Sequence, residues 1–315
     1  MKELTAERKK FLGEEIARLK KEKNALLMAH YYQREEIPEI ADFIGDSLAL
    51  ARQAAKTDAD IIVMCGVHFM GETAKILCPG KTVLVPDLEA GCSLADSCPP
   101  DQFEKFVNEH PDHTVVSYVN TSAAVKALTD IVVTSGNARK IIEQLPEDEK
   151  IIFGPDHNLG EYINSVTGRN MLLWKGACHV HDRFSLEKIL EMKKEHPEAK
   201  ILVHPECQRP LQLIADKVGS TAALLEFAQQ DEAKEFIVVT ESGILFEMRR
   251  KCPGKTLLAA PAEDAECQCN ECDFMKLNTL EKVYEALRDG KPEIIVDKVT
   301  AEKAVKPIER MLAMS

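Results

Sequence analysis

The stretch Ile40–Leu50 reads IADFIGDSLAL, and the stretch Ile214–Leu224 reads IADKVGSTAAL. The two share Ile-Ala-Asp, a glycine and the closing Ala-Leu at an offset of 174 (214 − 40). EHPDHTVVSY at 109–118 returns as EHPEAKILVH at 195–204, an offset of 86. SLEK at 185–188 returns as TLEK at 279–282, an offset of 94. Since 174 = 88 + 86, the offsets fit three copies of one unit, running over 25–98, 113–183 and 200–272. Such a period is too long for a solenoid repeat and suits a small domain present three times.

Around these stretches, short runs rich in Val and Ile alternate with helical patterns. LLMAH (26–30), DIIVM (60–64), KTVLVP (81–86), TVVSY (114–118), DIVVT (130–134), KIIFG (150–154), KILVH (200–204), EFIVVT (235–240) and KTLLAA (255–260) read as buried parallel strands. Amphipathic helices such as Glu36–Ala55 lie between them, with Thr5, Asp101, Ser185 and Thr279 as candidate N-caps. The fold class is therefore α/β, three similar αβα domains with parallel sheets. On this reading residues 1–98 form the first unit, 99–183 the second and 184–272 the third, and 273–315 packs back on the first.

Composition narrows the function. The net charge is 40 − 52 = −12, which argues against a nucleic-acid or anionic-membrane surface. The N-terminus, MKELTAERKKFLGEEIARLKKEKN, has no apolar core for a signal peptide, and no apolar run is long enough to span a bilayer. A cytoplasmic protein is expected. Its ten cysteines then read as metal ligands, redox groups or core thiols rather than a disulfide framework.

The repeat aligns polar residues at the ends of the three first strands: His30-Tyr-Tyr32, Tyr118-Val-Asn120 and His204-Pro-Glu206. Residues two apart on a strand share a face, and ligands of parallel α/β sheets bind at the strands' carboxyl ends. Three such ends in pseudo-threefold arrangement could converge on one central active site. Ser47 in GDSLAL and Ser220-Thr221 in GSTAAL open helices at one repeat position, and Ser135 follows a strand of the second unit. Turns of this kind offer hydroxyls and backbone N–H groups to carboxylates or phosphate, or serve only as caps.

Each copy also ends in cysteine. Cys92 lies in EAGCSLADSC, and Cys178 lies in WKGACHVH, 86 residues on. The third copy carries Cys267, Cys269 and Cys272, of which Cys272 repeats the offset of 94. Three ligands from three units fit a [4Fe–4S] cluster with one iron left open, which could act as a Lewis acid. Zinc with an open fourth position is the alternative. Cys65, Cys78, Cys207 and Cys252 read as core thiols.

The stretches MAHYYQREEIPEIADFIGDSLAL, GVHFMGETAKIL, VSYVNTSAAVKALTDIVVTSGNA, FGPDHNLGEYI, LWKGACHVHDRF, LVHPEC, GSTAAL and ESGILFEM together resemble the quinolinate synthases, over roughly residues 25–285. The resemblance implies three αβα domains around a [4Fe–4S] cluster held by Cys92, Cys178 and Cys272, the last because it precedes an aromatic-Met step, Phe274-Met275. It implies condensation of iminoaspartate with dihydroxyacetone phosphate to quinolinate, with loss of phosphate and two waters. An L-aspartate oxidase or aspartate dehydrogenase would supply the iminoaspartate. His30, Ser47, Ser135, His204, Ser220 and Thr221 would hold carboxylates or phosphate. Glu206 would be the general base, and Tyr32, Tyr118 and Asn120 would position the triose. His181 would donate a proton or contact an anion, and Phe69 and Met70 would line the pocket. Many relatives carry C-x-x-C-x-x-C where this chain has C-x-C-x-x-C, which leaves Cys267 and Cys269 without an assigned role. A zinc-dependent hydrolase or lyase and an iron–sulfur sensor are the competing classes.

Overall fold

A computed structural model describes residues 4–263 and 270–315. Cys267 and Cys269 lie outside the described residues. The chain forms two compact units: Met1–Cys92 with Asp273–Ala301, and Ser93–Cys272 with Glu302–Ser315. Among the described residues no helix is long and apolar enough to cross a membrane.

The first unit holds one parallel sheet of β1 (Ala25–His30), β2 (Phe43–Gly45), β3 (Ile61–Cys65) and β4 (Thr82–Leu84), ordered β2-β1-β3-β4. The second unit holds two. One comprises β5 (Thr114–Tyr118), β6 (Ile131–Val133), β7 (Ile151–Gly154) and β8 (Leu172–Leu173), ordered β6-β5-β7-β8. The other comprises β9 (Lys200–Val203), β10 (Lys217–Val218), β11 (Glu235–Val239) and β12 (Thr256–Ala259), ordered β10-β9-β11-β12. All three sheets are parallel and flanked by helices, so the chain is α/β with three similar αβα layers. The strands are apolar on both faces because helices cover both. In the first unit Leu12, Ile16 and Leu19 of helix Ala6–Glu22, spaced to share one stripe, pack on Leu27, Ala29, Val63 and Cys65. Leu280, Val283 and Leu287 of helix Leu280–Asp289 close the same core.

Each sheet repeats one device. The carboxylate of Asp42 accepts the N–H of Leu27 at 2.9 Å, Asp130 accepts that of Val115 at 2.8 Å, and Asp216 that of Ile201 at 2.8 Å. The return bond runs from each aspartate's own N–H to the carbonyl of the same residue, at 2.9 Å in all three cases. This two-way bond pins the side strand β2, β6 or β10 against the first strand. It is the physical content of the repeated Ile-Ala-Asp, with Leu-Thr-Asp as its form in the second copy.

Three side strands escape a sequence reading: β2, β8 and β10 have only two or three residues each. The expected helix over Glu36–Ala55 is also corrected. Residues 35–40 form turns, β2 follows, and the helix spans only Ser47–Lys56. Pro38 disfavours helical backbone at Ile37, and Asp46 caps the later start by accepting the Ala49 N–H at 3.0 Å. Gly45 is required here, since a Cβ would lie 2.8 Å from that of Ala49. Thr5, Ser185 and Thr279 are N-caps, each accepting a backbone N–H three residues on. Asp101 is not; it sits in the first turn of helix Pro100–Asn108, behind the N-cap Pro99, where the helix dipole favours an acid.

Removing one clamp should cost about 2 kcal/mol, the worth of a hydrogen bond to a charged acceptor. Urea titration of Asp216→Ala should show that loss, and Asp216→Asn, which keeps one acceptor oxygen, should lose less.

Candidate functional site

In the second unit the chain ends its strands on polar residues. Tyr118 closes β5, His204 and Glu206 follow β9, and Thr240 follows β11. The short helical turn His181–Arg183 brings in His181. Glu206 lies at the middle of this group, buried to 3 % exposure. Its Oε1 accepts the Tyr118 hydroxyl at 2.5 Å, and its Oε2 lies 3.0 Å from Nδ1 of His181. The other ring nitrogen of His181 is 2.9 Å from the Thr240 hydroxyl. The His204 ring stacks on His181 at 4.5 Å between centroids and approaches Glu206 at 3.8 Å. Asn158 donates to the Glu206 carbonyl at 3.1 Å and fixes the backbone.

The electrostatics follow from burial and contacts. Burial alone would raise the Glu206 carboxyl. The His181 and His204 imidazoles, with hydrogen bonds from His181 and Tyr118, outweigh it and hold the group down at about 2. Tyr118 moves the other way: burial, then the Glu206 charge, push its hydroxyl well above its ordinary value. It therefore stays a donor. Ser135 hydrogen-bonds to Tyr118 and joins the cluster. Asp156, fully buried, is raised by desolvation and then by Glu206.

Asn120 lies in the bend that follows β5, two residues after Tyr118. Its Oδ1 is buried with no hydrogen-bond partner among the described residues, an acceptor that a ligand's donor could meet. Ser220 and Thr221 are buried at the start of helix Thr221–Gln230, where the Ser220 oxygen caps the Ala223 N–H at 3.3 Å. That part of the hydroxyl reading is capping, as the sequence allowed. In the first unit His30 and Tyr32 are buried with rings in edge contact at 4.5 Å, and Tyr32 donates its N–H to the His30 ring at 3.2 Å. The Glu206 N–H makes the same bond to His204, at 3.3 Å. Ser47 is half-buried at the first position of its helix, behind the cap Asp46. Phe69 and Met70 are buried in helix His68–Leu77.

The cysteines divide cleanly. Cys92, Cys178 and Cys272 are half-buried; Cys65, Cys78, Cys98, Cys207 and Cys252 are buried, and burial pushes each of these five thiols up. A matched backbone bond lands two residues before each of the half-buried three. The His68 N–H reaches the Ala90 carbonyl at 2.7 Å, His157 reaches Gly176 at 2.8 Å, and Ser242 reaches Asn270 at 2.9 Å. Cys272 thus occupies the register of Cys92 and Cys178. Two of the three are also tied by buried carboxylates. Asp156 accepts the Cys178 N–H at 3.3 Å, and Glu241 accepts that of Cys272 at 3.0 Å. Donor atoms of Cys178, His181 and Glu206 lie within 4.8 Å of one another, a set that could hold metal. Thiolate-bearing loops of this kind suit a soft metal or a metal cluster.

Asp156, Asn158, Thr240 and Glu241 were not singled out from sequence. Asp156 carried a signal, an acid two residues past the end of a strand, where a helix N-cap is expected, and it accepts the Leu159 N–H three residues on. Asn158 and Thr240 act through partners far along the chain, while Glu241 accepts the nearby Gly243 N–H at 2.7 Å and also reaches Cys272.

The family profile described as "Quinolinate synthetase A protein" matches residues 14–313. A protein of a Synechococcus species named quinolinate synthase is 55 % identical over 300 residues, covering 95 % of this chain and 94 % of that one. A Synechocystis protein of the same name is 56 % identical over the same shares. One from Chloroherpeton thalassium is 54 % identical over 304 residues, 96 % of this chain and 94 % of its own.

Exposure and thiol acidity together set reactivity. In a Cys267→Ser/Cys269→Ser background, after chelation and reduction, a maleimide should label Cys92, Cys178 and Cys272 in the native protein. Cys65, Cys98 and Cys207 should react only after denaturation; peptide mass mapping reads the result.

Proposed function

The chain belongs to the quinolinate synthetase A family, and we propose that it works as a quinolinate synthase of NAD biosynthesis, condensing iminoaspartate with dihydroxyacetone phosphate and losing phosphate and two waters. The observation that carries this reading is the buried carboxylate of Glu206 held between His181, His204 and the Tyr118 hydroxyl. Such a group can collect and return protons beside a ligand that is itself rich in carboxylates.

We assign a [4Fe–4S] cluster to Cys92, Cys178 and Cys272. Their matched register, half-burial and thiol chemistry fit it. When bound, its open iron supplies a Lewis acid for loss of hydroxide.

The protein's own groups do the rest. Glu206 is ionised before substrate arrives, because two imidazoles face it. A bound dicarboxylate places like charge beside it and raises its proton affinity, the direction a general base needs. His181 keeps one ring nitrogen on Glu206 and the other on Thr240, so a proton passed to or from the carboxylate has a fixed path. Tyr118 remains protonated, and when substrate binds its hydroxyl turns from Glu206 to polarise the triose carbonyl, with Asn120 and Tyr32 orienting it. His30, Ser47, Ser135, His204, Ser220 and Thr221 hold carboxylates or phosphate by charge-assisted hydrogen bonds. An aspartate oxidase or aspartate dehydrogenase in the same compartment, the cytoplasm, provides the iminoaspartate.

Anaerobic purification with iron and sulfide analysis tests the cofactor. About four irons per chain are expected. They should be lost in each of Cys92→Ala, Cys178→Ala and Cys272→Ala. Zinc without iron, or a cluster retained in Cys272→Ala, defeats the ligand assignment. For the base, Glu206→Gln should lower kcat by about 100-fold, the usual worth of a positioned proton acceptor, with iron content unchanged.

A further inference from the structure

Lys126 is fully buried, and no role described so far uses it. It ends the short helix Ala123–Lys126, directly after the turn that carries Asn120. Its ammonium donates to the carbonyls of Val119, at 2.8 Å, and Thr121, at 2.5 Å. It also lies 3.4 Å from the Thr121 hydroxyl. The two carbonyls flank Asn120, whose Oδ1 is the buried acceptor without a partner.

The third sheet carries the same device with different chemistry. Gln212 follows Lys126 by 86 residues, the offset of that repeat pair (212 − 126). Its amide donates to the carbonyls of Pro205, at 2.9 Å, and Cys207, at 2.7 Å. These two flank Glu206 as the other two flank Asn120. The chain separations are identical, seven and five residues in both copies. In the first copy the matching position is Pro38, which has no donor. There Lys276 donates to the carbonyls of Tyr32, at 2.9 Å, and Gln33, at 3.4 Å.

We propose that Lys126 is a positioning residue: it clamps the Val119–Thr121 backbone and so aims the Tyr118 hydroxyl and the Asn120 carboxamide at substrate. The inference rests on the proposed quinolinate synthase reading. What matters at position 126 is two N–H donors in reach of two carbonyls. The positive charge is not the essential feature, because an uncharged glutamine does the same work at 212 in the same fold.

The test compares Lys126→Met and Lys126→Gln with wild type, each loaded anaerobically and checked for iron content. Lys126→Met should fold and keep its iron. Its kcat should fall at least about tenfold, since a misplaced positioning group is felt directly in the reaction. Hydrogen exchange of the peptide bearing Thr121 should speed up. Lys126→Gln should restore both the slow exchange and most of the turnover. Wild-type rates and exchange in Lys126→Met overturn the proposal. So does a folded Lys126→Gln with the rate and exchange of Lys126→Met, which would make the charge essential. A Lys126→Met chain that fails to fold reduces the lysine to a structural brace and also defeats it. A wild type that makes no quinolinate defeats the functional reading instead. The exchange data then still decide whether the clamp fixes the turn.

Discussion

The two-way bond between an aspartate and the backbone of the first strand, fifteen residues earlier, is the constraint on which the rest depends. A side strand of two or three residues cannot hold its own register by ladder bonds alone. A slip of one residue would turn every side chain to the opposite face. With Asp42, Asp130 and Asp216 in place, the side strand is fixed from its first residue. The bonds beyond it then form at the carboxyl end: Tyr31 to Gly45, Val119 to Val133 and Gly219 to Val203. Those bonds set where the polar strand ends and the helix-opening turns must lie. The chemistry of Tyr118, His204 and Glu206 therefore rests on a carboxylate at the far end of the strand.

Around Glu206 the same logic continues inward. A buried carboxylate is costly unless it is paired and hydrogen-bonded. Here it has a phenol, two imidazoles and an amide-anchored backbone. Each partner comes from a different segment, so the arrangement exists only once both sheets of that unit have formed. The half-buried cysteines obey a parallel rule. Their loops are tied by backbone bonds in matched positions, and Asp156 and Glu241 add carboxylate ties to two of them.

Much of this was legible in the sequence, for definite reasons. Long apolar strands such as Thr114–Tyr118 announce themselves by composition, and the repeat announces three sheets. It also places His30, Tyr118 and His204 at one structural position. The repeated Ile-Ala-Asp was visible as a motif, but its meaning was not, because a carboxylate accepting an N–H fifteen residues away leaves no local pattern. Strands as short as Leu172–Leu173 and Lys217–Val218 carry too few residues for periodicity. Thr240 follows a strand whose equivalents run on into Gly66 and Pro155, so no alignment of the copies exposes it, whereas Glu241 stands at the position of Asp156 in the second copy. No sequence pattern marks Lys126 as special. Only its complete burial does.

The first sheet is built from the beginning of the chain, yet its core is closed by Leu280, Val283 and Leu287 from near the end. During synthesis the chain emerges from its N-terminus and domains fold as they appear. The stripe of Leu12, Ile16 and Leu19 can dock early on Leu27 and Val63, but the remaining apolar face must wait while two further sheets are translated. The first of the three sheets to be translated is thus the last to be sealed. For most of its synthesis the nascent chain presents an open hydrophobic surface, which a cell must shield until helix Leu280–Asp289 arrives.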